Sequence, residues 1–245
     1  MKTSIISLSI AAIGCLGLAS CDSFLTSENT YQANDQTFLD SDKAVQSTTA
    51  PLYNYVWNDF NSKFYYSVGD GRANNLTARW SDYIYPYTNF TETSLSPGLE
   101  DAWGSFYSVI AQSNNVINRI KDYSGPAVSE EAKVQGMAEA RFMRGLAYWY
   151  KVNDYVCPPH RVTDVMEFAI RDLEYAAKNL SNTPANEGRV TSYSAFGILS
   201  RVYLSMAGLT TDGAYDGTNI ATDYNRGSRN PYYLDLAKKA ALKCI

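Results

Sequence analysis

Residues that could perform chemistry are few in this sequence, and most of them are isolated. The single histidine, His160, follows Cys157 by three positions in a turn-like Cys-Pro-Pro-His-Arg segment. A metal site needs three or four converging ligands, so this pair does not define one. The chain also contains no nucleophile elbow, no phosphate-binding glycine loop and no His-Glu-x-x-His helix. We therefore predict no catalytic residue, no metal site and no cofactor.

Two groups of carboxylates are the remaining candidates for catalysis or ion binding. Glu92, Glu100 and Asp101 could converge as the acid pair of a glycoside hydrolase. However, Glu100 and Asp101 also begin a predicted helix, where acidic side chains stabilise the helix dipole. The aspartates between Asp212 and Asp223 resemble a calcium loop only in composition, because the alternation and terminal glutamate of an EF-hand are missing. The sequence favours a protein that is not an enzyme, with a glycoside hydrolase as the remaining alternative.

Tyrosine is the unusual residue type, with 20 in a chain of 245 residues. Many aromatic residues lie between Trp57 and Tyr87, interleaved with short polar and charged side chains. Aromatic rings present apolar area at low entropy cost, and their edges remain compatible with water. This combination of aromatic and polar side chains suits sugar rings, whose apolar C–H faces are surrounded by hydroxyl groups, and it equally suits peptides. A loop packed by its own tyrosines is the structural alternative.

Charge and cysteine content limit the class of protein. The formal net charge is −4 and there is no Lys/Arg-rich run, which argues against a nucleic-acid partner because such binding depends on phosphate neutralisation. The chain is long enough for one large domain or two small ones. Cys157 and Cys244 could pair in an oxidising compartment or remain as two free thiols.

The first twenty residues differ from the rest of the chain. Lys2 precedes an apolar run from Ile5 to Leu18, and small residues lead to Cys21, which is the order found in secretory signal peptides. The run is shorter than the roughly 20 apolar residues of a membrane span. An ordinary cleaved signal or a short anchor helix are the alternatives. We predict a lipoprotein signal peptide at 1–20, lipidation of Cys21, and a lipid-anchored tether at 21–40 that holds the protein to a membrane.

Helical periodicity dominates from residue 41 onward. Ser41 is a predicted helix cap, and Pro51 should interrupt the helix that it begins. A loop-rich stretch is predicted from Asn58 to Pro97. The sequence then predicts five helices, at Leu99–Tyr123, Ser129–Asn153, from Thr163, from Thr191, and at Tyr232–Lys243. No alternating run competes with them, so the predicted fold is all-α.

Helices of this length with short connections should pair as antiparallel hairpins. Small residues on two of the helices would allow close approach of their backbones. These residues are Ala138, Ala140, Gly145, Ala147, Ala195, Gly197 and Ala207. Trp149, Phe168 and Tyr203 lie on apolar helical stripes and are predicted to be core residues.

Several segments together resemble the SusD/RagB family of nutrient-binding lipoproteins. The signal ending in Cys21-Asp22-Ser23-Phe24-Leu25 is similar to the start of such proteins. Trp103 with Tyr107 and the segment Asn114–Ile120 resemble the family's first long helix. Further similar segments are Ala138–Trp149, Phe168–Ala176 and Leu199–Leu204. The likeness covers the mature chain in the family's order.

The resemblance implies a tetratricopeptide-like helical scaffold with a long aromatic-rich loop, anchored by lipid at the outer membrane and exposed on the cell surface. Such proteins capture glycans, or peptides in some members, and deliver them to a TonB-dependent (SusC-like) transporter. A protein-interaction scaffold of the same helical type is the alternative function. The family's ligand platform corresponds to Gly69–Asn89 here. The implied ligand-binding residues are Asp70, Arg72, Asn74, Asn75, Trp80, Tyr83 and Tyr85.

The sequence departs from the family pattern in two ways. Family members are typically about twice as long, and the last predicted helix runs into the end of the chain. The connection from Tyr150 to Val162 is also shorter than the family's usual loop. We therefore expect residues 41–245 to form a SusD-like helical domain that is incomplete at its carboxyl end, with exposed apolar stripes on its last helices.

Overall fold

Helices joined by short connections account for most of the structure. The computed structural model describes residues 39–54, 57–93, 95–154, 161–184, 186–222 and 228–245. Its elements are α1 (Asp42–Thr49), a 3₁₀ turn (Ala50–Tyr53), a π-helix (Phe60–Gly71), α2 (Tyr85–Thr88), α3 (Leu99–Tyr123), α4 (Glu130–Asp154), α5 (Val162–Asn179), α6 (Ser192–Leu209) and α7 (Pro231–Leu242). In these ranges no β-strand forms, and Thr210 and Ile220 make an isolated antiparallel bridge. The predicted all-α fold is confirmed.

The helix starts follow the local signals in the sequence. The hydroxyl groups of Ser41, Ser129 and Thr191 each accept a hydrogen bond from the backbone N–H three residues further on. Helix α5 begins at Val162, one residue before the predicted start. Pro51 ends the α-helical pattern as predicted, and the chain continues there as the 3₁₀ turn.

Each long helix packs mainly against the next one in the chain, from α3 through α7, and α1 packs on α4. This nearest-neighbour order is that of a stack of helical hairpins. The core lies between the helices and contains large, fully buried side chains from α3, α5 and α6, among them Phe106, Leu173 and Met206.

Glycine permits the close contact between α4 and α5. A Cβ atom added at Gly145 would lie 3.0 Å from Leu173 Cγ and 3.1 Å from the carbonyl oxygen of Ala169. The predicted role of small residues is therefore confirmed at Gly145. It is wrong at Gly197, where the nearest atom is Cys244 Sγ at 3.9 Å, so no helix contact requires glycine there.

One predicted core aromatic residue lies at the surface. Trp149 and Tyr203 are buried, as predicted, but Phe168 is 41% exposed. The buried stripe of α5 contains Met166, Ala169 and Leu173, and Phe168 falls beside that stripe. Periodicity over one helix did not separate the centre of the stripe from its edge.

One face of α3 is buried and includes Ala102, Phe106 and Val109. Tyr107 lies outside that face and is 46% exposed. The Tyr107 hydroxyl accepts a hydrogen bond from Lys151 Nζ at 2.7 Å, and this ammonium group lies 4.1 Å from the centre of the Tyr107 ring.

Candidate functional site

The predicted loop from Asn58 to Pro97 is wrong in its first third, because Phe60–Gly71 forms a π-helix. This helix buries Phe60, Phe64, Ser67 and Gly71 at intervals of three and four residues, and it packs against α3. The dense polar residues at its end had indicated a loop. The stabilisation gained by burying its apolar face against α3 outweighs the preference of these polar residues for a loop.

One part of the tyrosine-rich stretch belongs to the protein core. The rings of Phe60 and Phe64 pack on Phe106, with centroid separations of 5.4 and 6.1 Å, and Phe60 also contacts Tyr150 at 4.9 Å. Tyr87 is fully buried and donates a hydrogen bond to the Pro97 carbonyl oxygen at 3.0 Å. Burial raises the pKa of the Tyr87 hydroxyl. These aromatic residues are structural.

A second set of rings from the same stretch faces outward. Trp80 is 95% exposed, which leaves both faces of its indole ring accessible. We call the exposed set the aromatic surface; it consists of Tyr65, Tyr66, Trp80, Tyr85 and Phe90. Rings that stay exposed to solvent do not stabilise the fold by burial. Exposed aromatic groups clustered in one segment are instead typical of interaction sites.

An ion pair lies beside the aromatic surface. Arg72 Nη2 is 2.5 Å from Glu92 Oε1, and the Arg72 guanidinium group lies 5.7 Å from the centre of the Phe90 ring. The other carboxylate oxygen, Glu92 Oε2, is buried and accepts no hydrogen bond from the described residues. The pair is neutral overall, and only its Arg72 side chain, which is 46% exposed, offers N–H donors at the surface.

Phe90 has an unusual backbone conformation. Its φ angle is +56°, in the left-handed region that bulky side chains rarely adopt. Such conformations cost on the order of 1–3 kcal/mol and are concentrated at ligand sites. The Phe90 ring is exposed, so burial of this side chain does not offset the backbone strain.

The first four predicted ligand residues lie together in a tight turn. The Asp70 carbonyl oxygen, near the end of the π-helix, accepts hydrogen bonds from the backbone N–H groups of Asn75 at 2.9 Å and Leu76 at 3.2 Å. Asn74 turns the chain with a φ of +58°, and the side chains of Asn74 and Asn75 are exposed. Arg72 lies in the same turn and points its guanidinium group to Glu92.

Of the other three predicted ligand residues, Trp80 and Tyr83 lie on the turns leading into α2, and Tyr85 is the first residue of α2. The Ser81 carbonyl oxygen accepts a hydrogen bond from the Tyr85 N–H at 2.9 Å, so Trp80 and Tyr85 flank one turn. Tyr83 is half-buried. Within the described residues no hydrogen bond or ring contact joins Trp80, Tyr83 or Tyr85 to Arg72. The seven residues therefore form two neighbouring groups along the chain.

Two residues of this site were not among the predicted ligand residues. Phe90 lies just beyond the segment Gly69–Asn89, and Glu92 was considered only as an acid for catalysis. Phe90 and Glu92 contact Arg72 from eighteen and twenty residues away in the sequence, and local sequence spacing does not reveal such contacts.

Two of the three candidate carboxylates of a hydrolase are held by cations, and the third, Glu100, is exposed in the first turn of α3. Glu92 pairs with Arg72, and Asp101 Oδ2 accepts a hydrogen bond from Lys63 Nζ at 2.8 Å, which raises the pKa of Lys63. Asp101 Oδ2 also caps α3 by accepting from the Gly98 N–H at 3.4 Å. Asp212 and Asp216 bind backbone N–H groups of their own loop. In the described ranges no group of three His, Cys, Asp or Glu side chains could hold a metal ion.

Other sequence predictions fall on residues that are not described. Cys21, Cys157 and His160 lie outside the described residues, so lipidation, the cysteine pairing and the shortened 150–162 connection stay predictions. Cys244 is exposed and forms no disulfide with another described residue. Of the described helices, none combines the length and apolar character that a membrane span requires.

The fold and the site together define a stack of helical hairpins with an exposed aromatic surface. No protein-family model matches the sequence. A SusD-like protein of Bacteroides ovatus is 39% identical over 226 residues, covering 85% of this chain and 41% of its own length. SusD-like protein P25 of Formosa agariphila is 24% identical over 213 residues, covering 76% of this chain and 40% of its own length.

A solved structure supports the same relationship. A crystal structure obtained with xylogluco-oligosaccharide is 36% identical, with a TM-score of 0.67, covering 82% of this chain and 40% of that one. The chain belongs to the SusD-like family, as the sequence resemblance implied. It spans about two fifths of the length of the relatives it matches.

Proposed function

We propose that this chain binds neutral oligosaccharides at the aromatic surface and does not alter them chemically. The observation that carries the proposal is Trp80, whose ring is 95% exposed in the segment that also exposes Tyr85 and Phe90. A flat aromatic face matches the apolar C–H face of a sugar ring. The related structure obtained with xylogluco-oligosaccharide supports a glycan as the ligand class.

The polar groups near the aromatic surface suit hydroxyl groups. In the Arg72–Glu92 pair the Arg72 side chain is 46% exposed and supplies N–H donors, and the exposed amides of Asn74 and Asn75 each carry both donors and an acceptor. Because the ion pair is neutral, it does not favour a charged ligand. Xylogluco-oligosaccharide, the ligand of the related structure, is the first probe to test.

Absence of catalysis is part of the proposal. Inverting and retaining glycosidases need one carboxyl group free to donate a proton and a second free to attack or to activate water. Here Glu92 and Asp101 are each bound to a basic side chain, at 2.5 and 2.8 Å. We expect no reducing sugar to be released from oligosaccharides incubated with the protein. Release that is lost in the Glu92→Gln variant would support the hydrolase alternative.

We further propose that Cys21 carries the lipid anchor and that the protein works at the outer surface of the outer membrane beside a TonB-dependent transporter. The signal-like order of residues 1–21 supports the anchor, and the family resemblance supports the partner. Incorporation of a labelled fatty acid that is lost on Cys21→Ser would support lipidation. Labelling that persists in this variant would contradict it. Co-purification of a TonB-dependent transporter from detergent extracts tests the partner.

Affinity electrophoresis through gels that contain a neutral polysaccharide tests the binding function. Xyloglucan should retard the wild-type protein, retard the Trp80→Ala variant less, and retard a Tyr193→Ala control as strongly as the wild type. Tyr193 is a suitable control because it is an exposed aromatic residue on α6. Unretarded migration of the folded protein on every neutral glycan would overturn the proposal. Capture of peptides with no retardation by glycans would favour the peptide-binding alternative.

A further inference from the structure

A cavity separate from the aromatic surface lies between α5 and the loop 210–222. Its volume is about 420 Å³, within the range of roughly 300–1,000 Å³ of small-molecule sites. We call it the Phe168 cavity; its lining residues are Asp164, Glu167, Phe168, Arg171, Tyr215, Asp216 and Gly217. None of these residues belongs to the segment that carries Trp80.

Phe168 is an exposed ring held in a fixed position. The Tyr148 ring packs edge-to-face against it with a centroid separation of 5.0 Å, and the Arg144 guanidinium group lies 5.1 Å from its centre. Arg144 is itself fixed by two hydrogen bonds to Asp172, at 2.7 and 2.8 Å. Because the contacts restrict the ring before any ligand arrives, little conformational entropy is lost when a ligand packs on it.

The loop side of the cavity is also preformed. Asn230 is fully buried, and its Nδ2 donates hydrogen bonds to Thr210 Oγ1 and to the Gly213 carbonyl oxygen, both at 2.8 Å. Asn219 Nδ2 donates to the carbonyl oxygens of Asp212 and Ala214 at 2.6 and 3.0 Å. These bonds fix the loop from within, so the cavity does not depend on a flexible segment.

Contacts with α5, with Arg161 just before it and with α7 fix the same loop from outside. Tyr215 donates its hydroxyl hydrogen to Asp164, at the start of α5, and its backbone N–H donates to the Tyr233 hydroxyl at 3.0 Å. Arg161 Nη1 donates to the Gly217 carbonyl oxygen at 2.5 Å. Gly217 has a φ of +90°, which glycine adopts without strain. Two aromatic residues, Phe168 and Tyr215, are thereby placed in one cavity by rigid elements.

The charged groups of the cavity select the ligand class. The lining contains three carboxylates and one guanidinium group, that of Arg171, which is already bound to Glu167 at 3.3 Å. Arg161, bound to the Gly217 carbonyl oxygen, adds a second cation, so the carboxylates still outnumber the cations. Asp216 uses one oxygen, Oδ1, to accept from Thr218 and Asn219. The remaining carboxylate oxygens are acceptors that match the hydroxyl donors of a sugar, whereas a uronate or sulfate group would be repelled.

We propose that the Phe168 cavity is a second binding site for one unit of a neutral sugar chain. It rests on the proposed glycan-binding function but not on the aromatic surface. A sugar ring packs its C–H face on Phe168, and its hydroxyl groups donate to Asp164, Glu167 and Asp216. A neutral oligosaccharide therefore has two places to bind on this chain.

Saturation-transfer NMR with xylogluco-oligosaccharide tests the second site in the Trp80→Ala background. We expect the Trp80→Ala protein to retain measurable transfer, and this transfer to fall to background in Trp80→Ala/Phe168→Leu. Leucine keeps most of the apolar volume but removes the aromatic face. Trp80→Ala/Tyr193→Ala is the matched control and should retain the transfer. An oligogalacturonide should give none in any variant.

The outcomes separate this inference from the proposed function. Unchanged transfer in Trp80→Ala/Phe168→Leu overturns the second site and leaves glycan binding intact. If Trp80→Ala has no effect and Phe168→Leu alone abolishes transfer, the cavity stands and the role of the aromatic surface is wrong. No transfer from any neutral oligosaccharide to the folded wild type overturns both.

Discussion

Arg144 binds Asp172 through two parallel hydrogen bonds, Nε to Oδ2 at 2.7 Å and Nη2 to Oδ1 at 2.8 Å. The two side chains are only 15% and 5% exposed and join α4 to α5. Arg144 Nη1 also donates to Asn114 Oδ1 of α3 at 2.6 Å. One arginine therefore connects three consecutive helices and supports the Phe168 ring.

Removing the acid of this pair should strongly destabilise the fold. Asp172→Ala leaves the Arg144 guanidinium group buried without its counter-charge, which costs about 3–5 kcal/mol of unfolding free energy. Asp235→Ala is the control, because Asp235 forms a solvent-exposed ion pair with Lys239 at 2.6 Å, and such pairs contribute at most about 1 kcal/mol. Urea denaturation measures both. Equal losses for the two variants would contradict the structural role of Arg144.

The two helical glycines Gly145 and Gly104 should respond to alanine in opposite directions. At Gly145 the new methyl group would meet Leu173 Cγ at 3.0 Å and the Ala169 carbonyl oxygen at 3.1 Å. Overpacking costs about 1–3 kcal/mol, which exceeds the roughly 1 kcal/mol gained in helix propensity. At Gly104 the new methyl group would meet no described atom within 4 Å beyond its own helical turn, so only the gain remains. Thermal denaturation should show a lower midpoint for Gly145→Ala and a higher one for Gly104→Ala. A raised midpoint for Gly145→Ala would exclude the close helix contact.

The loop 210–222 should loosen only at strongly acidic pH. Hydrogen bonds from Thr218 and Asn219 hold the pKa of the Asp216 carboxyl below its usual value of about 3.9. Because the folded pKa is lowered, the stabilisation is fully present above the usual value and is lost as the pH falls through the lower one. The amide chemical shifts of Thr218 and Asn219 report the titration by NMR. An inflection at or above pH 4 would show that these bonds do not form.

Helices were predictable because their signals are local. The caps at Ser41, Ser129 and Thr191 and the break at Pro51 lie within a few residues of the boundaries that they set. The π-helix Phe60–Gly71 was not predictable in this way. Its polar composition indicates a loop, and it is stabilised by packing on Phe106, more than thirty residues away.

The segment that carries the aromatic surface was predictable from the sequence, but the residues of that segment that are exposed were not. The density of aromatic residues indicated the segment around Trp80, which the structure shows to be exposed. The same density did not separate the core residues Tyr87 and Phe64 from the surface residues, because both sets share one composition. The contact of Arg72 with Glu92 and the left-handed conformation of Phe90 depend on the folded chain, so no local pattern indicated them. The Phe168 cavity combines α5 with a loop more than forty residues further on.

The central claim is that Trp80 contacts a neutral glycan, and isothermal titration with xylogluco-oligosaccharide tests it most directly. Trp80→Ala should weaken binding at least about tenfold, equal to about 1.4 kcal/mol. The change removes a ring that is 95% exposed, so the unfolding free energy should change by no more than about 0.5 kcal/mol. Tyr193→Ala should leave both quantities unchanged. Wild-type affinity in a folded Trp80→Ala protein would contradict the account.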